Sequence, residues 1–320
     1  MANPASVLSP ATGRPEQIAE QGLRQAARRL GLTGGLSITH WRPNSNRKHK
    51  VRQFATLSVD AEPRLVAKVR TDPSDHKVAG EARILNALSR KGVAPAPLAT
   101  MGEEGFVMWY VPHDDLPNSF AVANAEQRRV LVAATVEAVA RFHVSAPQRR
   151  TCPRETELEQ ILGDWRPRTA VERHALANGP HGAMHGDLGP WNIRINRAAS
   201  ALHLIDWEDF RAAGAPILDL LNALLTLTLL VHPDYQSMSG DTLYRKTLVE
   251  PGPMPTLLRE GLFDYSRRTG VDADLCLALI PTYCRGMLRR FELENRPTDH
   301  LFYRPLLEHF ALEDVLWITR

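Results

Sequence analysis

The residues best placed to do chemistry lie in MHGDLGPWNIRIN and, shortly after it, HLIDWEDF. His185, Asp187 and Asn192 stand in the spacing H-x-D-x-x-x-x-N, and Asp206 follows at the end of the next apolar strand, fourteen residues after Asn192. Three oxygen-bearing side chains are thereby set on a loop and an adjoining hairpin, where they can converge on one hard cation and one reacting hydroxyl. Magnesium favours such carboxylate and carbonyl oxygens, with phosphate completing its shell. A single Asp or Asn in a loop usually caps or turns the backbone, so the set carries the signal and no member does so alone. Far upstream, Leu65-Val66-Ala67-Lys68-Val69 puts a lysine in an apolar strand, where a charge without a partner is costly. A phosphate or a carboxylate resolves that cost.

These residues need elements to hold them. From Pro15 to Leu30 the apolar residues Ile18, Ala19, Leu23, Ala26, Ala27 and Leu30 recur at helical spacing and Gly31 closes the segment. LSITHW, KVRQFATLSV and RLVAKV then read as three antiparallel strands separated by RPNSNR and DAEP. A helix is expected over Val78 to Leu88, with Asp72, Ser74 or Asp75 as its N-cap. GVAPAPLA is extended and GFVMWYV is another strand. Beyond Pro112 the pattern turns helical: Glu126 to Val144, Val171 to Leu176, Pro216 to Val231, Met254 to Arg268, Ala273 to Leu293 and Leu301 to Ile318. The strand pair NIRIN and ALHLIDW, joined by RAAS, is the expected exception. The picture is a small β-rich lobe, an extended joint near residues 109 to 112, a larger helical lobe, and a crevice between them as the natural ligand site.

Composition bounds the function. A chain of 320 residues with 43% apolar and 23% charged residues has enough material for one large domain or two lobes, not a disordered segment or a disulfide miniprotein. Cys152, Cys276 and Cys284 form no C-x-x-C pair, which fits a reducing cytoplasm. A net charge of +3, from 39 basic against 36 acidic residues, gives no reason to expect nucleic acid as a partner. The opening MANPASVLSPATGRPEQ does not read as a secretory signal. The most apolar stretch, Pro216 to Val231, contains Asp219 and Asn222 and is shorter than the roughly 20 residues of a membrane span, so a buried helix is expected and no membrane contact.

His185-Gly186-Asp187 with Asn192, and Ile205-Asp206-Trp207-Glu208, resemble the H-G-D-x-x-x-x-N loop and the I-D-W/F-E/D motif of the aminoglycoside phosphotransferase and choline kinase group. That group consists of small-molecule kinases with the protein-kinase-like fold. The resemblance runs from residue 36 to about 225 with the motifs in order. It implies an α+β, two-lobed protein-kinase-like fold, with residues 1–111 as the nucleotide-binding lobe and 112–320 as the catalytic and acceptor-binding lobe. It implies ATP and Mg2+, with Asp187 orienting and deprotonating the acceptor hydroxyl and Asn192 and Asp206 holding the metal against the phosphates. Glu81 in GEARILNAL matches the helix glutamate that pairs with the strand lysine, here Lys68, so that the lysine reaches the α- and β-phosphates. Met108, Trp109, Tyr110 and Val111 match the strand that runs into the hinge and borders the adenine. His185 is expected to be structural. Asp219 in GAPILDL is expected to anchor the catalytic loop through backbone hydrogen bonds, and Glu208 and Asp209 to be solvated.

One departure from the group is the phosphate-covering turn, Arg42 to Lys50, which contains no glycine. Ser45 and Asn46 are its candidates for phosphate contact. Five of the eleven residues from Arg42 to Arg52 are basic and are read either as a phosphate-attracting tip or as a solvated hairpin. The function this implies is transfer of the γ-phosphate of ATP to a hydroxyl of a small molecule. Three alternatives stand beside it: a catalytically silent nucleotide-binding regulator, a protein kinase, for which H-R-D and D-F-G are missing, and a metal hydrolase, which leaves Lys68 unexplained. An aminoglycoside acceptor calls for a carboxylate-rich pocket, for which the C-terminal helices offer Glu292, Glu294, Asp299, Glu308, Glu313 and Asp314. Choline calls for an aromatic cage, for which Tyr283, Phe291, Phe302 and Tyr303 are available. The sequence leaves the acceptor and the oligomeric state open.

Overall fold

The computed structural model of the chain describes residues 6–7, 13–42, 52–145, 148–149, 166–196, 201–298 and 302–318. Two compact units divide it: Met1–His113 with Asp206–Asp209, and Asp114–Ile205 with Phe210–Arg320.

The first unit is built on a six-stranded sheet in the order Ser6–Val7, Ala99–Thr100, Gly105–Trp109, Glu62–Arg70, Arg52–Val59, Leu36–Trp41. Every pairing is antiparallel except that of Ser6–Val7 with Ala99–Thr100. Side chains alternate faces along a strand, so Leu65, Ala67 and Val69 share one face and Lys68 takes the other. The first three are buried among Ile18, Leu23, Ala26 and Ala27 of the helix Pro15–Arg29. That helix approaches closely at Gly22, where a Cβ would stand 2.1 Å from Met101 Sδ. In register, Lys68 lies between Phe54 and Phe106, in the middle of the sheet and not at an edge.

The helix expected over Val78 to Leu88 spans Lys77–Ser89, but its N-cap is His76 and not Asp72, Ser74 or Asp75. Asp72 accepts from Ser74 N in a local turn, and Asp75 divides its oxygens between Lys77 N and the guanidinium of Arg52.

The second unit carries more strand than its composition announces. Beside the hairpin Ile193–Asn196 with Ala201–Leu204, extended by Asp114–Asp115, there is a second sheet of Arg211–Gly214, His181–Met184 and Gln148–Arg149. HGAM and RAAG lack the β-branched and aromatic residues that mark strands, and His181–Met184 is nonetheless buried throughout. The Pro216–Leu229 helix is buried on nearly every side. Among the described residues no helix is long and apolar enough to cross a membrane.

Two helical expectations need correction. Ala273 to Leu293 is two helices, Ala273–Ala278 and Ile280–Leu293, because Leu279 leaves helical geometry and Pro281 starts the next first turn. Leu301 to Ile318 is likewise broken into Tyr303–His309, Leu312–Val315 and a short 3-10 turn. Phe310 and Ala311 are extended, and the Ala311 amide donates to the Tyr244 hydroxyl instead of continuing a helix.

Candidate active site

In the first unit, Lys68 Nζ lies 2.6 Å from Glu81 Oε2, 2.7 Å from Asp206 Oδ1 and 4.0 Å from Glu208 Oε2. The other Glu81 oxygen, Oε1, accepts from the Trp207 amide at 3.1 Å, with the indole fully buried. One helix carboxylate therefore grips both the strand lysine and the backbone of the D-W-E motif. Arg52 reaches Asp75 at 2.7 Å and Glu208 at 3.2 Å while itself only 5% exposed. Lys77 pairs with Asp209.

Two sequence expectations are overturned here. Glu208 and Asp209 are not a solvated pair, because cations of the sheet and of the following helix hold them. Arg52, at the end of the basic stretch, is not a solvated hairpin charge but the buried cation just described, whereas Arg42 is exposed and pairs at the surface with Glu16 at 2.7 Å and Gln53 at 2.9 Å. Ser45 and Asn46 lie outside the described residues.

Burial opposes the charge on Lys68, but Asp206, Glu81 and Glu208 outweigh it and lift its pKa above the ordinary lysine value. Burial pushes Glu81 up to about 6, assisted by Asp206 and Glu208 and opposed by Lys68. Around these two groups Arg52 also faces Asp75 and Glu208. Asp206 is also held at φ 62°, the left-handed region that a non-glycine residue enters at a cost, and such strain collects at functional positions.

Met108 pairs with Val66 and Trp109 with Leu65 at the end of the Gly105–Trp109 strand. The Tyr110 amide donates to Arg64 O at 2.8 Å, so that group already serves the sheet. Val111 follows, half-buried.

In the second unit the catalytic-type loop is held from below. Asp219 accepts from the His185 amide at 2.5 Å and from the Gly186 amide at 3.0 Å, the backbone anchoring expected of it. Gly186 sits at φ 84°, a conformation that a side chain would strain. His185 Nε2 is 2.9 Å from Ile205 O and therefore carries the ring proton, while Nδ1 receives the Asp187 amide at 3.4 Å. The ring is a strut, not an acid or base. Asn192 donates from Nδ2 to Asp187 O at 2.7 Å, which leaves its amide oxygen as the group suited to a cation. With its amide turned to donate to the Tyr283 hydroxyl, Asn222 accepts from Leu188 N at 3.2 Å and Gly189 N at 3.1 Å.

Three participants escaped sequence reasoning. Asn222 left a signal, a lone amide three residues after Asp219 in an otherwise apolar helix. Arg52 left only its place in a basic stretch. Arg290 left none: it is 103 residues beyond Asp187, yet its Nη1 stands 2.9 Å from Asp187 Oδ1 and 3.3 Å from Gly186 O.

Taken separately, each unit carries a donor of the kind magnesium takes. Asp206 and Asn192 offer hard oxygens, and among the described residues no group of three or more His, Cys, Asp or Glu could hold a metal by itself. Magnesium commonly takes only one or two carboxylates from the protein and completes its shell with phosphate and water.

A β-rich unit with a buried strand lysine paired to a helix glutamate, and a mainly helical unit with an HGD loop, define a two-lobed protein-kinase-like fold. The comparisons with known proteins agree. Residues 51–236 match the model of the phosphotransferase enzyme family, and the chain belongs to that family. A provisionally assigned aminoglycoside phosphotransferase from Ralstonia eutropha superposes with a TM-score of 0.53 at 14% identity, covering 94% of this chain and 98% of that one. Macrolide 2'-phosphotransferase from Brachybacterium faecium gives a TM-score of 0.50 at 15% identity over 90% and 98%. A choline/ethanolamine kinase family protein from Mesorhizobium loti aligns at 16% identity over 94% and 98%, with a TM-score of 0.49. No protein of curated function matches the chain by sequence.

Proposed function

We propose that the chain is an ATP- and magnesium-dependent kinase that moves the γ-phosphate of ATP to a hydroxyl of a small molecule. The observation that supports this most is the cluster of buried Lys68 and Glu81 with the part-exposed Asp206, in which a strand ammonium is held between a helix carboxylate and the D-W-E carboxylate. A purely structural ion pair needs one carboxylate, whereas this lysine has two at hydrogen-bond distance and a third nearby, an arrangement suited to polyanion and metal handling.

In this reading residues 1–111 form the nucleotide lobe and 112–320 the catalytic and acceptor lobe. Met108 to Val111 border the adenine, Ser45 and Asn46 belong to the turn over the phosphates, and Lys68, positioned by Glu81, contacts the α- and β-phosphates. Asn192 and Asp206 are the metal ligands. Magnesium bound there neutralises phosphate charge. Asp187 accepts the acceptor hydroxyl's hydrogen bond and takes its proton as the new O–P bond forms and the β–γ bridging oxygen departs with ADP. Little covalent assistance is required beyond alignment. The enzyme acts in the cytoplasm, free of membrane and nucleic acid.

The test is ATP consumption with mass spectrometry of the products across aminoglycosides, macrolides, nucleoside antibiotics, amino alcohols and sugars. Near-wild-type turnover by Asp187→Asn would overturn the assignment.

A further inference from the structure

Resting on that phosphotransferase reading, the surroundings of Asp187 narrow the acceptor. Recognition of a positively charged acceptor needs either carboxylates without an internal partner or exposed aromatic faces near the reacting group. Of the candidates the C-terminal helices offer, the described aromatics and the carboxylates nearest Arg290 are otherwise engaged, and the exposed aromatic of the HGD loop is Trp191. Tyr283, Phe291, Phe302 and Tyr303 are all buried, and Tyr303 packs on each of the other three. They are core and form no cage. Of the carboxylates on and just after the Ile280–Leu293 helix, Glu292 pairs with Arg289 at 3.1 Å. Glu294 pairs with Arg290 at 3.3 Å and Arg296 at 3.4 Å. Glu308 pairs with Arg304, while Glu313 and Asp314 are exposed at the far end of the chain's last helices.

The reacting carboxylate itself is in the same condition. Arg290, bridging Asp187 Oδ1, Gly186 O and Glu294 Oε1, brings a permanent positive charge to the point where the acceptor hydroxyl must arrive. An ammonium placed there would meet a guanidinium hydrogen-bonded directly to Asp187.

We infer that Arg290 is an acceptor-selecting residue, and that the acceptor is a hydroxyl compound with no positive charge beside the reacting hydroxyl: an uncharged polyol or a hydroxy acid. A like charge built into a site discriminates by repelling the wrong ligand as much as by attracting the right one.

The experiment compares kcat/KM for phosphorylation of D-ribose, glycerate, choline and kanamycin by the wild-type protein, Arg290→Lys and Arg290→Gln, with Mg-ATP saturating. The wild type should favour the better of ribose and glycerate over both cations by at least about tenfold, Arg290→Lys should keep that ratio, and Arg290→Gln should cut it about tenfold. A wild-type preference for choline or kanamycin overturns the inference, as does an unchanged ratio in Arg290→Gln. A merely structural arginine would lower all four values together. Should Arg290→Gln fail to fold, Glu294→Gln takes its place, and because it leaves Arg290 less compensated, the ratio must rise. Should none of the four be phosphorylated, the same ratios are read as inhibition of Asp187-dependent ATP hydrolysis, where tighter binding of the cations, or a ratio unmoved by Arg290→Gln, again overturns the inference. Absence of both transfer and Asp187-dependent hydrolysis would instead sink the phosphotransferase reading, and this inference with it.

Discussion

Lys68 Nζ and Asp206 Oδ1 stand 2.7 Å apart across 138 residues of sequence, on an ammonium that Glu81 grips at 2.6 Å. The same ammonium thus ties a sheet strand, the helix Lys77–Ser89 and the D-W-E motif into one electrostatic object. The proposed division of labour between this cluster and the HGD loop can be tested residue by residue.

Asp187→Asn keeps the shape of the side chain and removes its basicity. Transfer should fall by about 10²–10⁴ in kcat while Mg-ATP still binds, measured by product formation and by calorimetric titration. Asp206→Ala should weaken magnesium and nucleotide binding together, by at least about tenfold.

Glu81 carries the pH prediction. Its pKa in the folded state is raised from 4.5 to about 6, so between those values the folded protein binds more protons than the unfolded chain. Its contribution to stability is therefore present at acid pH and is lost as the pH rises through about 6. Thermal melts of wild type and Glu81→Gln between pH 4 and pH 7 should show this slope only in the wild type, and added Mg2+ should stabilise the wild type more at the upper end.

Arg52 neutralises Asp75 and Glu208 inside the first unit. Arg52→Met leaves the part-buried Asp75 without its cation and Glu208 with only Lys68 at 4.0 Å, and should cost about 1–3 kcal/mol in denaturant unfolding. Adding Glu208→Gln should recover part of the loss, and strictly additive losses would argue against the pair.

Asp219→Ala removes the acceptor of the His185 and Gly186 amides. Each buried donor left unsatisfied costs about 1–3 kcal/mol, so the melting temperature and kcat should both fall, with the KM for ATP little changed.

How much of this was legible in the sequence depended on how local each signal was. The strand 36–41 is legible because its pattern lies along a few consecutive residues, and the anchoring role of Asp219 because GAPILDL resembles the family's segment at that place. HGAM and RAAG became strands through sheet pairing that their small side chains do not advertise. The fates of Glu208 and Arg52 differ from the sequence expectation because a charged residue written in sequence looks solvated until a partner far along the chain, such as Glu208 for Arg52, is folded against it. Arg290 lies at the extreme of that problem: nothing within its own helix distinguishes it from Arg289, and only tertiary contact with Asp187 does.

The assignment of Asp206–Asp209 to the first unit has a consequence for how the gene can be divided. A fragment ending at His113 would lack Asp206, Glu208 and Asp209, leaving Lys68 only Glu81, Arg52 only Asp75 and Lys77 without its partner Asp209, and would expose the bed that receives Trp207. Exchange of lobes between relatives, fragment complementation or circular permutation must therefore carry this tetrapeptide along. The first unit is not a contiguous stretch of chain but a stretch plus a plug encoded almost a hundred codons downstream.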